Sequence, residues 1–175
     1  YTWLLRGTPL LVQILIWGNL ALLFQHLGPF DTNKIITPFV ASIVALGLNE
    51  GAYMAEIVRA GVLAVDRGQV DASLALGMSR ALAMRRIILP QAMRVIIPPA
   101  GNQFISLLKA TSLVSVIAGG DLLTAAENIS SSNLKTIELM LVATFWYLVL
   151  TTVTSIGQYL LERRLARAGT GLRGA

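Results

Sequence analysis

Residues Asp66–Pro90, DRGQVDASLALGMSRALAMRRIILP, decide how this chain is read. The stretch is polar and basic, holds four arginines (Arg67, Arg80, Arg85 and Arg86), and has long apolar runs on both sides. So apolar a chain has little reason to keep such a segment at its middle unless the segment works in water. Gln69 to Met78 suits a short amphipathic helix, with Val70, Leu74 and Met78 four residues apart on one face. Ala72, Ser73 and Ala75 are small and let another surface approach the backbone. Gly77 is expected to break or bend this helix, and Arg80 to Ile88 to form a second one that Pro90 stops. The product is a helix–turn–helix elbow beside a membrane. Two uses fit it: a docking site for a partner protein, or an anchor to anionic lipid through its arginines.

Working outward, the 175 residues are 55% hydrophobic and 13% charged, with a mean hydropathy of +0.68. Soluble domains carry about 25% charged residues, so the composition points to an all-α polytopic membrane bundle. Four apolar spans are expected, near Pro9–Leu27, Ile36–Val65, Ala92–Ala118 and Leu139–Leu161. The last runs through residues 139 to 161 without a charge, and about 20 apolar residues suffice to cross a bilayer. Helices are the expected spanning form, because these runs lack the alternation of barrel strands. The Gly119–Glu138 stretch reads as an outer loop with a short helix, Leu122 to Asn128, ended by Ser130-Ser131-Ser132-Asn133.

The net charge of +5 sits in blocks between the apolar runs, which suits topology better than a nucleic-acid face. With Arg6, Asp66–Arg94 and the tail after Glu162 on one side, that side holds ten arginines against Lys34 and Lys135 on the other. By the positive-inside rule the elbow is then cytoplasmic. The whole chain, 1–175, reads as one transmembrane domain with a cytoplasmic loop at 66–90 and a basic cytoplasmic tail at 162–175. There is no cysteine, hence no disulfide framework or thiolate metal site. The chain starts at Tyr1 without Met or signal peptide, which leads to the expectation that the numbering begins inside a longer protein.

Ionisable groups within spans are costly and are functional candidates by default. Asn49, Glu50 and Tyr53 on the second span are candidates for lining a pathway. Glu56 and Arg59 are three apart and suit a structural ion pair. A carboxylate at Glu50 would suit an ammonium group and a cationic side chain. Gly47 and Gly51 make a G-x-x-x-G helix-packing pattern, and Pro98 and Pro99 are expected to kink the third span. Lys109 suits a snorkelling position at the outer end. Gly169-x-Gly171-x-x-Gly174 matches a dinucleotide fingerprint but lacks its strand–turn–helix setting. His26 reads as interfacial, and no catalytic set or metal-ligand cluster is evident.

Asp71-Ala72-Ser73, three residues, Gly77, nine residues and Ile87-Ile88-Leu89-Pro90 resemble the EAA loop of ABC importer permeases. Asp71 stands in the place of Glu and Ser73 in that of Ala. The blocks Arg6–Gln13, Gly51–Arg59, Leu89–Ala92 with Pro98 and Asn102, and Lys109–Leu113 resemble the polar amino-acid branch of that family, the histidine/glutamine/arginine permease type. The resemblance covers nearly the whole chain.

What it implies is a subunit of the inner membrane without an ATPase site or cofactor of its own. ATP and Mg would be bound by a partner ATPase dimer; no P-loop sequence occurs here. A second permease, identical or homologous, and an extracytoplasmic amino-acid-binding protein would complete the assembly. The ATPase-coupling residues would be Asp71, Ala72, Ser73, Leu74, Gly77 and Met78, whose helix would convert ATPase closure into alternating access. Asn102 either lines the pathway or bonds helix to helix. Members of this branch have five spans against four here, so a further helix is expected upstream of Tyr1. Two rivals remain open at this point: a gradient-coupled carrier, and a non-transporting membrane scaffold.

Overall fold

The computed structural model describes residues 1–27 and 30–170. Gly171 and Gly174 of the fingerprint, the end of the basic tail, and the surroundings of the His26 side chain lie outside what is described. The elements follow in chain order: α1 (Thr2–Gly7), α2 (Leu10–Gly18), α3 (Leu20–Leu23), a two-residue antiparallel pair β1 (His26–Leu27) and β2 (Phe30–Asp31), α4 (Thr32–Ile35) and α5 (Pro38–Leu63). Next come α6 (Arg67–Ala75), α7 (Arg80–Ala83), a π-turn (Met84–Ile88), α8 (Leu89–Ala110), a 3-10 stretch (Thr111–Ile117), α9 (Leu122–Asn133) and α10 (Thr136–Thr170).

Where the first span, Pro9–Leu27, was expected in one piece, the structure has two helices, α2 and α3, and the short strand β1, with α1 before them. Proline ends α1: Thr8 is extended (φ −105°, ψ 142°), the conformation favoured before proline. Asn19 turns the chain again at the end of α2, its side-chain amide donating to the Leu15 carbonyl at 2.8 Å. α5 is one unbroken helix of 26 residues, started by Thr37, whose hydroxyl accepts the Val40 N–H, and by Pro38 in the first turn,. Among the described residues one helix is both long and apolar enough to cross a bilayer on its own, Thr136–Leu165. A second candidate is the run Arg80–Ile117 with α9, bent by 43°. α10 exposes Leu141, Phe145, Trp146, Leu148, Val153 and Leu160 around its circumference, the signature of a helix made for lipid or partner helices.

Two of the expected helix ends are corrected. Pro90 does not stop the second elbow helix. It sits in the first turn of α8, and α7 runs through the π-turn straight into α8. The Leu89 N–H reaches the Met84 carbonyl, five residues back. The wide turn falls one turn before the proline, where the ordinary ladder is already a donor short. In the outer loop the serine run lies inside α9: the hydroxyls of Ser130, Ser131 and Ser132 donate to carbonyls three residues back, so that helix continues to Asn133.

The closest helix approach is also not where G-x-x-x-G suggests. A Cβ on Gly47 would meet nothing within 4 Å, and one on Gly51 would meet only the Tyr1 hydroxyl at 3.6 Å. Gly61 is the true contact point, where a Cβ would lie 2.2 Å from Ile96 Cγ1. There α5 and α8 close on a core of Val65, Ile88, Ala92 and Ile96, with Val70 of α6 packed against it. A second core of Ile14, Ala45 and Val114 joins α2, α5 and the 3-10 stretch.

Candidate functional site

The elbow is built from local rules. Asp66 caps α6, its carboxylate accepting the Gly68 N–H at 2.8 Å,. The helix ends at a glycine cap: Gly77 takes φ 79°, its N–H donates to the Leu74 carbonyl at 2.9 Å, and the Met78 N–H donates to the Ser73 carbonyl at 3.1 Å. That pair of bonds needs a left-handed residue at the turn. Ser79 then caps α7 through the Leu82 N–H. Of the six residues assigned to coupling, Asp71, Ala72, Leu74 and Gly77 are exposed, and Met78 is half-buried. Ser73 faces inward instead, 4% exposed with its hydroxyl on the Val70 carbonyl at 2.7 Å. Leu76, 83% exposed, stands out beyond the cap, and spacing gave no hint of it. Val70, Leu74, Arg80, Ala83, Met84 and Ile88 line a cleft of about 300 Å3 inside the elbow.

The α5 candidates divide between two faces. Asn49, Tyr53 and Glu56, spaced four and three apart, look toward α1 and α2. Asn49 is 8% exposed; its amide donates to the Leu5 carbonyl at 2.9 Å and to Gln13 Oε1 at 3.3 Å. Gln13, 5% exposed, donates to the Leu5 carbonyl at 2.7 Å and to Thr8 Oγ1 at 2.8 Å. Leu5 is the residue whose helical donor would have been the absent N–H of Pro9. The two amides replace that donor, which makes Asn49 a tie between helices. Arg6 lies over the Tyr53 ring at 5.1 Å and 3.9 Å from Glu56. Glu56 is held by Arg59 at 2.7 Å. Thr2, Trp3, Arg6, Tyr53 and Glu56 border a cleft of about 410 Å3.

Glu50 turns to the opposite side and accepts from Gln103 of α8 at 3.0 Å. One residue earlier on α8, Asn102 bonds helix to helix: Gln158 of α10 donates to its Oδ1 at 3.1 Å. A polar belt therefore crosses α5, α8 and α10 through Glu50, Gln103, Asn102 and Gln158. Gln158 was not singled out from the sequence, because its partners lie 56 and 60 residues away. On the outer side Asp121 caps α9 through the Leu123 and Thr124 N–H groups, accepts from the Thr124 hydroxyl, and accepts from Tyr147 of α10 at 3.4 Å.

An elbow on a helical bundle that carries polar groups within its spans defines a membrane transport component. The chain belongs to the family of binding-protein-dependent transport system inner membrane components, whose model matches residues 1–167. It is 46% identical over 176 residues to the arginine transport system permease protein ArgU of Corynebacterium glutamicum, covering 97% of this chain and 56% of that one. It is 42% identical to the L-cystine transport system permease protein TcyB of Bacillus subtilis, covering 95% and 68%. The glutamine transport system permease protein GlnP of Escherichia coli K12 is 40% identical, covering 92% and 71%. Among solved structures, a crystal structure of an amino acid ABC transporter with histidines superposes with a TM-score of 0.81 at 42% identity, over 94% of this chain and 73% of that one. The chain thus spans a little over half the length of the arginine permease it resembles.

Proposed function

We propose that the chain is the membrane-spanning subunit of an ATP-driven importer for polar amino acids. The observation that carries the reading is the elbow. Its outward residues Asp71, Ala72 and Leu74 sit on a short helix packed through Val70 onto the α5–α8 core, and α7 continues without a loop into α8. A partner that grips α6 and moves it would therefore move the spans. In this reading the ATPase dimer that binds ATP and Mg docks on α6, a second permease completes the pathway, and a binding protein delivers the amino acid from outside. The elbow and the tail are cytoplasmic, as the ten-to-two arginine and lysine distribution argues,.

The deciding experiment is co-purification of the full-length protein with its ATPase subunit, with and without Gly77→Arg. No atom lies within 4 Å of the added Cβ, but φ is +79°, so the variant strains the cap and brings a charge into the docking face while the spans stay inserted. Joint loss of ATPase binding and amino-acid uptake supports the proposal. Retention of the ATPase would make the elbow a lipid anchor. Uptake that collapses with uncouplers and ignores ATP would favour the gradient-coupled carrier instead.

For substrate class, Glu50 is the residue that supports a cationic amino acid. It lies on the belt, where Gln103 donates to it, and a carboxylate there stabilises an ammonium or guanidinium group. Glu50→Gln should weaken uptake of arginine and lysine relative to glutamine. An unchanged preference among the three in a competition assay removes Glu50 from the pathway.

A further inference from the structure

Gln158 of α10 reaches across to α8 through its side-chain amide. Its amide nitrogen donates to the Pro98 carbonyl at 3.2 Å, to Asn102 Oδ1 at 3.1 Å and to Glu162 Oε1 at 2.8 Å. It reaches α8 because Gly101 leaves a notch: a Cβ there would lie 2.7 Å from Gln158 Cδ and 2.9 Å from its Cγ. The grip falls beside the proline pair of α8, on the carbonyl of Pro98 itself. Pro98 and Pro99 have no N–H, so the helix lacks two donors in its interior,. A helix weakened in this way bends under load unless something holds it.

We propose that Gln158 is a positioning residue, clamping the proline-weakened turn of α8 to α10 so that movement of the elbow is passed on to both helices as one body. The inference rests on the reading of the chain as a permease subunit driven through its elbow. α7, the π-turn and α8 form one continuous helical run from Arg80. A tilt entering at that end is dissipated at Pro98–Pro99 if the turn yields, and reaches the upper part of α8 and α10 if it does not. Two of the acceptors, the Pro98 carbonyl and Asn102 Oδ1, lie on α8, so the amide ties the proline pair to α10 and resists yielding of the turn. The same clamp fixes Asn102, the neighbour in sequence of Gln103, whose amide bonds Glu50.

The test uses the full-length permease with its ATPase and binding protein in proteoliposomes, measuring amino-acid uptake and ATP hydrolysis in the same vesicles. Gln158→Leu keeps the bulk and removes the donor. Uptake per ATP should fall about five- to tenfold, the lower part of the range for coupling between sites, with basal hydrolysis retained. Gln158→Lys places an ammonium with three donors before the same three acceptors and should recover most of the ratio. Gly101→Ala, whose added Cβ would lie 2.7 Å from Gln158 Cδ and 3.0 Å from its Nε2 and so push the amide out of the notch, should reproduce the loss, and it serves if the leucine variant assembles poorly. An unchanged ratio in Gln158→Leu, or in Gly101→Ala where the leucine variant does not assemble, overturns the clamp. So does a loss that Gln158→Lys does not relieve. Failure of the wild-type complex to couple uptake to ATP at all would instead overturn the permease reading itself.

Discussion

Prolines interrupt two helical segments of this chain, with opposite outcomes. At Pro9 the helix breaks: Thr8 turns extended, α2 starts afresh at Leu10, and the Leu5 carbonyl is taken over by Gln13 and Asn49. At Pro98–Pro99 the helix does not break, and α8 continues to Ala110. The difference lies in the surroundings. α8 is pressed onto α5 at Gly61 through Ala92 and Ile96 on one side, and held by Gln158 of α10 on the other. The segment around Pro9 has buried amides ready to accept a break. Packing on both sides outweighs the proline where it exists, and side-chain capping replaces the ladder where it does not.

The largest effect that would sharpen this contrast is expected at α8. Proline in a helix interior is about 3 kcal/mol less favourable than alanine. Pro98→Ala returns a backbone N–H to the interior of a helix already formed, so the thermal midpoint of the assembled complex should rise. A lower midpoint would mean that the ring itself packs against a neighbour and that the helix is not tolerating it under duress. Uptake per ATP in the same variant should not fall, because the stiffer turn transmits at least as well.

Next in size is the capped break. Asn49→Leu removes one of the two donors on Leu5 and leaves Gln13 Oε1 without its partner in a buried place. Leaving a buried polar group unsatisfied costs about 1–3 kcal/mol, read as a lower unfolding midpoint with intact chain insertion. Gln13→Leu should cost a similar amount, and the double variant less than the sum, because the two amides share one carbonyl. Strict additivity would show that they do not act as one cap.

These features were unequally legible in the sequence. The elbow could be read because its signals are local: Val70, Leu74 and Met78 recur at helical spacing, and Gly77 sits where a left-handed turn is needed,. Pro90 misled for a related reason. Proline both ends helices and begins them, and only the path of the chain chooses. The breaks in the first segment and the roles of Gln13, Gln103 and Gln158 stayed hidden because a glutamine in an apolar run declares no partner. Those of Gln103 and Gln158 lie 53 to 60 residues away. The same holds for the glycines. Gly47 and Gly51 carry the recognised spacing and face open space or a single hydroxyl, whereas Gly61 carries none and makes the contact.

The smallest effect is expected at Pro9 itself, and its sign carries the comparison. Pro9 sits at φ −60°, which its ring enforces at no cost, and the Leu5 carbonyl that its absent N–H would have served is taken by Gln13 and Asn49. Replacing such a proline with alanine loosens the unfolded chain and costs about 0.4–1 kcal/mol. Pro9→Ala should therefore lower the unfolding midpoint slightly, while Pro98→Ala raises it. The alanine N–H would also compete with Gln13 and Asn49 for the Leu5 carbonyl. If that competition wins, α1 and α2 fuse, the midpoint rises, and Arg6 is carried away from Tyr53 and Glu56 as the chain straightens. Hydrogen exchange at Leu10 and Leu11 separates the two outcomes, because fusion would protect these amides, whereas the Val12 and Gln13 N–H groups already donate to the Pro9 carbonyl. A rise in stability with new protection there would show that proline alone, and not the buried amides, keeps this segment broken.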